Sequence, residues 1–369
     1  MPWQRCCVER GGRRRECLPR TFPGSSDNIR ATVAEGRPKI RGGVLSNIWC
    51  ASFPPPEFLI AETFGYFLFQ GDIKMKNTIF TGAATAIITP MTEGGVDYEN
   101  FGRMIDWQIA EGIDAIVVAG TTGEGSTLTD DEHRETIRFA VERAAKRVPI
   151  IAGTGSNDTD YAVDLTKYAK EAGADAALVV TPYYNKATQK GLIKMYETIA
   201  EAGQLPIILY NVPSRTGVSL EPKTVAALAD HPLIVGLKEA NGDISKAVEV
   251  MALVGDKIDL YSGNDDQIVP LLSIGGKGVI SVLSNVLPAE TSRMCKLFFE
   301  GNVKAAAAEQ FRLLALTKAL FSEVNPIPVK AAMHAMGYCE NIIRMPLTTM
   351  EDEHREVLIA EMKKAGVKI

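Results

Sequence analysis

The chain has 369 residues, of which 46% are hydrophobic and 23% charged, and its formal net charge at pH 7 is −5. This length corresponds to about two average domains or to one α/β barrel with additions. The composition excludes widespread disorder. Net negative charge argues against nucleic acid or an anionic membrane surface as a partner, because both require a basic face. We therefore expect a soluble globular protein with neither partner.

Residues 1–74 differ from the rest in charge and pattern. They carry a net charge of +4, against −9 for the remainder, and show no helical or strand period. Their most apolar stretch, 58–69, contains Glu62 and is shorter than the ~20 residues of a membrane span. No secretory signal pattern is present, and seven acidic residues argue against a transit peptide. We interpret residues 1–74 as a non-homologous leader that is either disordered or upstream of the true start, Met75. Codons for Gln70-Gly71-Asp72 can contain the bases of a bacterial ribosome-binding site, which favours Met75 as the start.

From Thr78 onward, short apolar runs alternate with amphipathic helical stretches. The apolar runs are continuous, which is typical of parallel strands buried on both faces. They cover residues 83–90, 115–120, 149–155, 176–182, 206–212, 234–240, 259–264 and 278–283, with helical stretches such as 98–111, 131–146, 158–172 and 220–229. Eight such units favour a (β/α)8 TIM barrel over a doubly wound sheet of about five or six strands. We predict a catalytic barrel at 75–288 and a C-terminal α-helical region at 289–369.

Barrel enzymes carry their chemistry where strands end. Lys238 lies near the end of the sixth apolar run. Partial desolvation there lowers the pKa of an amine, and such a lysine can form a Schiff base with a carbonyl substrate. The alternative is a lysine that extends to solvent or pairs with Glu239.

Three other strand ends offer polar side chains. The turn Gly120-Thr121-Thr122-Gly123 lies just ahead of a helical stretch, so its N–H and hydroxyl groups suit a carboxylate, unless it is an ordinary capped turn. Tyr210 suits proton transfer at an imine carbon, although buried tyrosines commonly serve packing. Arg215, which we place in a loop, suits a bidentate grip on a second carboxylate, unless it is a plain surface arginine.

The cysteines and histidines indicate no metal site. After Met75 only Cys295 and Cys339 remain, too few for a disulfide framework and consistent with a cytoplasmic protein. The four histidines, His133, His231, His334 and His354, lack metal-ligand spacing. A zinc-dependent aldolase is therefore disfavoured.

Four motifs together resemble the dihydrodipicolinate synthase family, within the superfamily of pyruvate-dependent class I aldolases and N-acetylneuraminate lyase. They are Gly120-Thr121-Thr122-Gly123-Glu124, Thr181-Pro182-Tyr183-Tyr184-Asn185, the stretch 210–217 and Gly236-Leu237-Lys238-Glu239-Ala240. The resemblance runs from about residue 80 to the C-terminus, includes Asn325-Pro326-Ile327-Pro328-Val329-Lys330, and leaves out residues 1–74.

The resemblance implies a lyase that condenses pyruvate with L-aspartate 4-semialdehyde in the first committed step of diaminopimelate and lysine biosynthesis. It implies no metal or organic cofactor, and a homotetramer built from two tight dimers. By the same resemblance Lys238 forms the Schiff base, while Thr121, Tyr210 and Tyr184 relay protons, Tyr184 reaching in from a neighbouring subunit. Substrate contacts are implied for Thr122 (pyruvate carboxylate), Arg215 (semialdehyde carboxylate), and Gly263 and Ile280 (backbone lining).

Some members of the family bind L-lysine as an inhibitor at a subunit interface. His133, Asn157 and Tyr183 correspond to ligands of that effector pocket. Tyr161 stands where sensitive enzymes have a glutamate, and Asp130 replaces a histidine found in some of them. We therefore expect weak sensitivity to L-lysine or none.

Two alternatives remain open on the sequence. N-acetylneuraminate lyase and keto-deoxy sugar aldolases share the barrel and the lysine, but the resemblance indicates that sialic acid lyases lack the arginine matched by Arg215. A catalytically inactive regulator on the same barrel is disfavoured by the intact set of Lys238, Tyr210 and Thr121.

Overall fold

The computed structural model describes residues 77–369, so the predicted leader and Met75 lie outside the described residues. Eight parallel strands close into a barrel in the order β1-β10-β9-β8-β7-β6-β5-β4. The barrel strands are β1 (Gly82–Ala86), β4 (Ala115–Val118), β5 (Ile150–Gly153), β6 (Ala176–Val180), β7 (Ile207–Asn211), β8 (Ile234–Glu239), β9 (Asp259–Ser262) and β10 (Gly278–Ser281). Each overlaps one predicted run, and the predicted (β/α)8 fold is confirmed.

Helices follow the strands around the outside of the barrel. They are α1 (Tyr98–Ala110), α2 (Asp130–Ala144), α3 (Thr159–Glu171), α4 (Gln189–Gly203), α5 (Pro213–Thr216), α6 (Pro222–Ala229), α7 (Ile244–Val254), α8 (Ile268–Ser273) and α9 (Pro288–Phe299). A short antiparallel hairpin, β2 (Met91–Thr92) with β3 (Gly95–Val96), precedes α1. The sequence analysis did not predict this hairpin.

Helix α9 completes a ring of eight helices, which does not include the single-turn α5. It follows β10 and packs against β1. The predicted boundary at residue 288 would instead assign this helix to the C-terminal region. We propose that the barrel extends to Phe299. Beyond it lie α10 (Val303–Ala319), α11 (Ile327–Ala335) and α12 (Asp352–Ala365). No helix within residues 77–369 is long and apolar enough to cross a membrane.

The core has two layers because the strands are buried on both faces. Inside the barrel, side chains such as Val117, Ile151, Ile208 and Tyr261 fill the centre, and a second, larger layer lies between strands and helices. Full burial of an aliphatic side chain of this size stabilises the fold by about 1.5–3 kcal/mol. Burial of both faces explains why the strands read as continuous apolar runs.

Candidate active site

Lys238 lies inside the barrel, near the carboxyl end of β8. The strand registers place it level with Tyr210 on one side and Tyr261 on the other. Its side chain is 6% exposed, and its Nζ lies 4.3 Å from the centroid of the Tyr210 ring. An ammonium over an aromatic face is stabilised by about 0.5–2 kcal/mol. The contact places the amine of Lys238 against the ring of Tyr210 at one buried point.

Glu239 does not pair with Lys238, because successive residues of a strand point to opposite faces. Its carboxylate accepts hydrogen bonds from Asn211 Nδ2 at 3.0 and 2.9 Å and from the Asn241 backbone N–H at 2.8 Å. Burial raises the pKa of Glu239 to about 7, and the hydrogen bonds from Asn211 oppose this rise. Among the described residues, no ion pair between Lys238 and Glu239 is present.

The loop after β4 carries Thr121 and Thr122. Thr122 is buried, and the carbonyl oxygen of Gly123 accepts a hydrogen bond from Thr89 Oγ1 at 2.7 Å. Glu124 has a φ of +55°, a left-handed conformation that non-glycine residues adopt at a cost. Such conformations cluster at functional sites, where the surrounding structure enforces them.

One expectation about this loop is wrong. Helix α2 begins at Asp130, where Thr129 caps it and forms a capping box with Glu132. The turn with Thr121 and Thr122 is therefore separated from the helix N-terminus. Hydroxyl and N–H groups of the loop itself, rather than a helix terminus, are available to a carboxylate.

Arg215 lies in α5, a single helical turn, and not in a loop as predicted. Pro213 at the first helical position favours this turn, since its φ is fixed at a helical value. The guanidinium is exposed and donates from Nη2 to the backbone oxygen of Asn325 at 3.1 Å. The remaining donors of this guanidinium suit a second carboxylate.

A cavity of about 390 Å³ opens at this end of the barrel. Its lining includes three predicted site residues, Thr121, Tyr210 and Arg215, together with two predicted effector residues, His133 and Tyr183. The other predicted residues, Lys238, Thr122, Gly263, Ile280, Tyr184 and Asn157, are not among the residues that line it. Residues predicted for the substrate site and residues predicted for the effector pocket thus line one continuous cavity.

The predicted residues outside the lining differ in exposure, and Asn157 is half-buried. Lys238, Thr122 and Ile280 are buried. Gly263 lies in tight packing, because an added Cβ would come 2.6 Å from the Cβ of Ala240. Tyr184, in contrast, is 91% exposed and has a φ of +71°. Its side chain is therefore almost fully exposed and lies outside the cavity lining.

Asp265 is a buried carboxylate in the short 3-10 turn after β9, and the sequence analysis did not assign it a role. Its Oδ2 accepts the backbone N–H groups of Val282 and Leu283, both at 2.9 Å. Burial raises the pKa of Asp265, and hydrogen bonds from Ser281, Leu283 and Val282 oppose that rise.

The C-terminal helices reach back to the loop after β4. Asn325 Nδ2 donates to Thr122 Oγ1 at 3.0 Å, and Lys330 forms a buried ion pair with Glu124. Sequence reasoning missed both contacts. The only sign of them in the sequence was the motif 325–330, which contributed to the family resemblance but was assigned no role.

In the predicted effector pocket, the carboxylate of Asp130 already has partners. Its Oδ1 accepts the Tyr161 hydroxyl at 3.0 Å, and its Oδ2 accepts Arg134 Nε at 2.8 Å. Burial lowers the pKa of His133, whose Nε2 lies 2.8 Å from the carbonyl oxygen of Gly153. Within residues 77–369, no three His, Cys, Asp or Glu side chains group as a metal site requires.

Comparison with known proteins gives one consistent answer. Residues 79–365 match the model of the dihydrodipicolinate synthetase family. The 4-hydroxy-tetrahydrodipicolinate synthase of Acetivibrio thermocellus is 53% identical over 293 residues, which cover 79% of this chain and 100% of that protein.

Solved structures agree with the sequence matches. Dihydrodipicolinate synthase from Acinetobacter baumannii complexed with pyruvate is 46% identical with a TM-score of 0.77, covering 79% of this chain and 100% of that one. The enzyme from Cyanidioschyzon merolae with lysine bound is 38% identical, with the same TM-score and coverage. The resemblance read from the motifs is confirmed, and the chain belongs to the dihydrodipicolinate synthetase family.

Proposed function

We propose that this lyase condenses pyruvate with L-aspartate 4-semialdehyde to give 4-hydroxy-tetrahydrodipicolinate, with Lys238 as its nucleophile. This is the first committed step of diaminopimelate and lysine biosynthesis. A relative that is 53% identical is named for this activity. A structural neighbour is complexed with pyruvate, which supports the substrate class. The observation that carries the residue assignment is the buried amine of Lys238 against the ring of Tyr210.

The chemistry depends on the imine that Lys238 forms with pyruvate, because this imine withdraws electrons from the neighbouring carbon. Lys238 attacks C2 of pyruvate, and loss of water gives a protonated imine. The imine draws electrons from C3, so a proton leaves and an enamine forms. The enamine carbon then bonds to the aldehyde carbon of the semialdehyde, whose oxygen takes up a proton and becomes the hydroxyl, and the protonated imine at C2 re-forms. The amino group of that substrate finally displaces Lys238 from C2, which closes the ring and regenerates the lysine.

The remaining residues hold substrates and move protons. Thr122 binds the pyruvate carboxylate and Arg215 binds the carboxylate of the semialdehyde. The backbone of Gly263 and Ile280, which lie outside the lining of the open cavity, contacts the bound substrate. Tyr210 and Thr121 carry protons. None of these steps requires a metal or an organic cofactor.

Tyr184 completes the relay only if a second copy is present. Its 91% exposed side chain supports a role across a subunit contact, in which Tyr184 of the partner subunit enters the site. We infer a homotetramer built as a dimer of dimers. Tyr184→Phe should then lower turnover without releasing subunits, because the ring remains and only the hydroxyl is lost. Sedimentation together with initial rates separates these two effects.

Borohydride trapping tests the assignment of the nucleophile. Reduction in the presence of pyruvate should add one reduced pyruvyl group to the peptide that contains Lys238, detected by mass spectrometry. Lys238→Ala should lose the adduct and nearly all turnover in an assay coupled to a reductase. Lys257→Ala is the matched control, because that lysine is exposed and pairs with Asp230 outside the site. An adduct at any other lysine would overturn the proposal.

A further inference from the structure

Asn325 contacts both residues that are proposed to hold substrate carboxylates. It precedes α11 and is 6% exposed. Its Nδ2 donates to Thr122 Oγ1 at 3.0 Å, across 203 residues of sequence. Its backbone oxygen accepts Arg215 Nη2 at 3.1 Å. One residue of the C-terminal region thus bridges the loop after β4 and the helix after β7.

The side-chain contact determines what the Thr122 hydroxyl can do. A threonine hydroxyl has one donor proton and two acceptor lone pairs, whereas an amide nitrogen only donates. Because the Asn325 amide occupies a lone pair, the proton of Thr122 stays available. A carboxylate only accepts, so a bound pyruvate carboxylate is the partner that this orientation suits.

The backbone contact fixes Arg215 by a different part of Asn325. Every residue has a main-chain oxygen, so a change of the side chain at position 325 leaves this acceptor in place. Arg215 keeps its other guanidinium donors for a substrate carboxylate. A substitution at residue 325 therefore removes the contact with Thr122 and leaves the contact with Arg215 in place.

We infer that Asn325 is a positioning residue: its amide orients the Thr122 hydroxyl toward the pyruvate carboxylate while its backbone oxygen holds the Arg215 guanidinium. The inference rests on the proposed function for the identity of the two carboxylates. It assigns the C-terminal region a part in aligning the two substrates, beyond its part in the fold.

Asn325→Asp tests the inference, because it retains the shape and the backbone oxygen but replaces the donor with an acceptor. The Thr122 hydroxyl would then turn toward residue 325. We expect the pyruvate concentration at half-maximal borohydride trapping to rise about ten-fold or more, with KM for the semialdehyde changed less than two-fold. Asn302→Asp is the matched control. Asn302 caps α10 in an exposed position where aspartate caps equally well, so trapping should be unchanged.

A double-mutant cycle distinguishes positioning from a general loss of structure. In a Thr122→Val background, Asn325→Asp should cause no further loss of pyruvate affinity, because the hydroxyl it acts through is gone. Asn325→Ala gives the same test with a smaller expected rise, about three-fold, and serves if the aspartate variant does not fold. Circular dichroism checks each variant.

The outcomes separate this inference from the proposed function. If the wild-type protein forms no pyruvate adduct, the proposed function itself fails. If the wild type forms the adduct and Asn325→Asp forms it with wild-type half-saturation, the positioning role is overturned. Equal losses from Asn325→Asp with and without the Thr122 hydroxyl would also overturn it.

Discussion

The buried ion pair between Lys330 and Glu124 predicts a large loss of stability in Lys330→Met. The two side chains are 1% and 3% exposed, so the variant leaves the Glu124 carboxylate buried without its counter-charge. Only the backbone N–H of Arg344, at 3.0 Å from Glu124 Oε2, would remain from this set of contacts. Removing one partner of a buried pair costs about 3–5 kcal/mol. At about 2 °C per kcal/mol for a domain of this size, the melting temperature should fall by about 6–10 °C.

Two further variants make the magnitude interpretable. Lys257→Met breaks a pair with Asp230 whose side chains are 43% and 69% exposed, so it should cost less than about 1 kcal/mol. Glu124→Gln combined with Lys330→Met removes both charges and should recover at least half of the single-variant loss. Urea unfolding followed by circular dichroism measures all three. Equal small losses from Lys330→Met and Lys257→Met would refute the reasoning that burial sets the cost.

Three more predictions concern substrate, pH and effector. Arg215→Ala should lose about 1.5–3 kcal/mol of charged hydrogen bonding, a ten- to hundred-fold drop in kcat/KM for the semialdehyde, while borohydride trapping of pyruvate survives; equal damage to both would indicate a structural role. Burial raises the pKa of Glu239 to about 7, above its unfolded value, so the native state holds the proton more tightly. The free energy of unfolding should therefore fall by roughly 3 kcal/mol as pH rises from about 4.5 to about 7, and Glu239→Gln should flatten this slope in unfolding curves. When initial rates are measured across a lysine titration, half-inhibition should not occur below about 1 mM, which corresponds to a binding free energy of about −4.1 kcal/mol. The reason is that Tyr161 and Arg134 already bind the Asp130 carboxylate, which is then not free to pair with a lysine ammonium group. Half-inhibition at submillimolar lysine would show that other residues form the effector pocket.

The barrel and its lysine were predictable because their signals are local. A strand buried on both faces is a short continuous apolar run, and Lys238 interrupts such a run near its end. Predicted strands ran past the observed ends for a related reason. Ile87 and Ile88 follow β1 and are fully buried in the loop, so they extend the apolar run beyond the last strand residue.

The remaining features depend on distance or on short elements. The contacts from Asn325 to Thr122 and from Lys330 to Glu124 join residues 203 and 206 apart, which no local pattern encodes. Helix α5 has four residues, too few for a helical period. The start of α2 was recoverable, because Thr129 and Glu132 have the spacing of a capping box.

The long sequence separation between Thr122 and Asn325 has a consequence for synthesis of the protein. At about 5–20 residues per second, the ribosome adds Asn325 roughly 10–40 s after Thr122. All eight strands are made before it, so a nascent chain can contain the complete barrel and Lys238 while Thr122 and Arg215 still lack their common anchor. Glu124 likewise awaits its counter-charge until Lys330 is added. Within one newly made chain, the addition of residues 325–330, and not closure of the barrel, is therefore the event that completes these contacts.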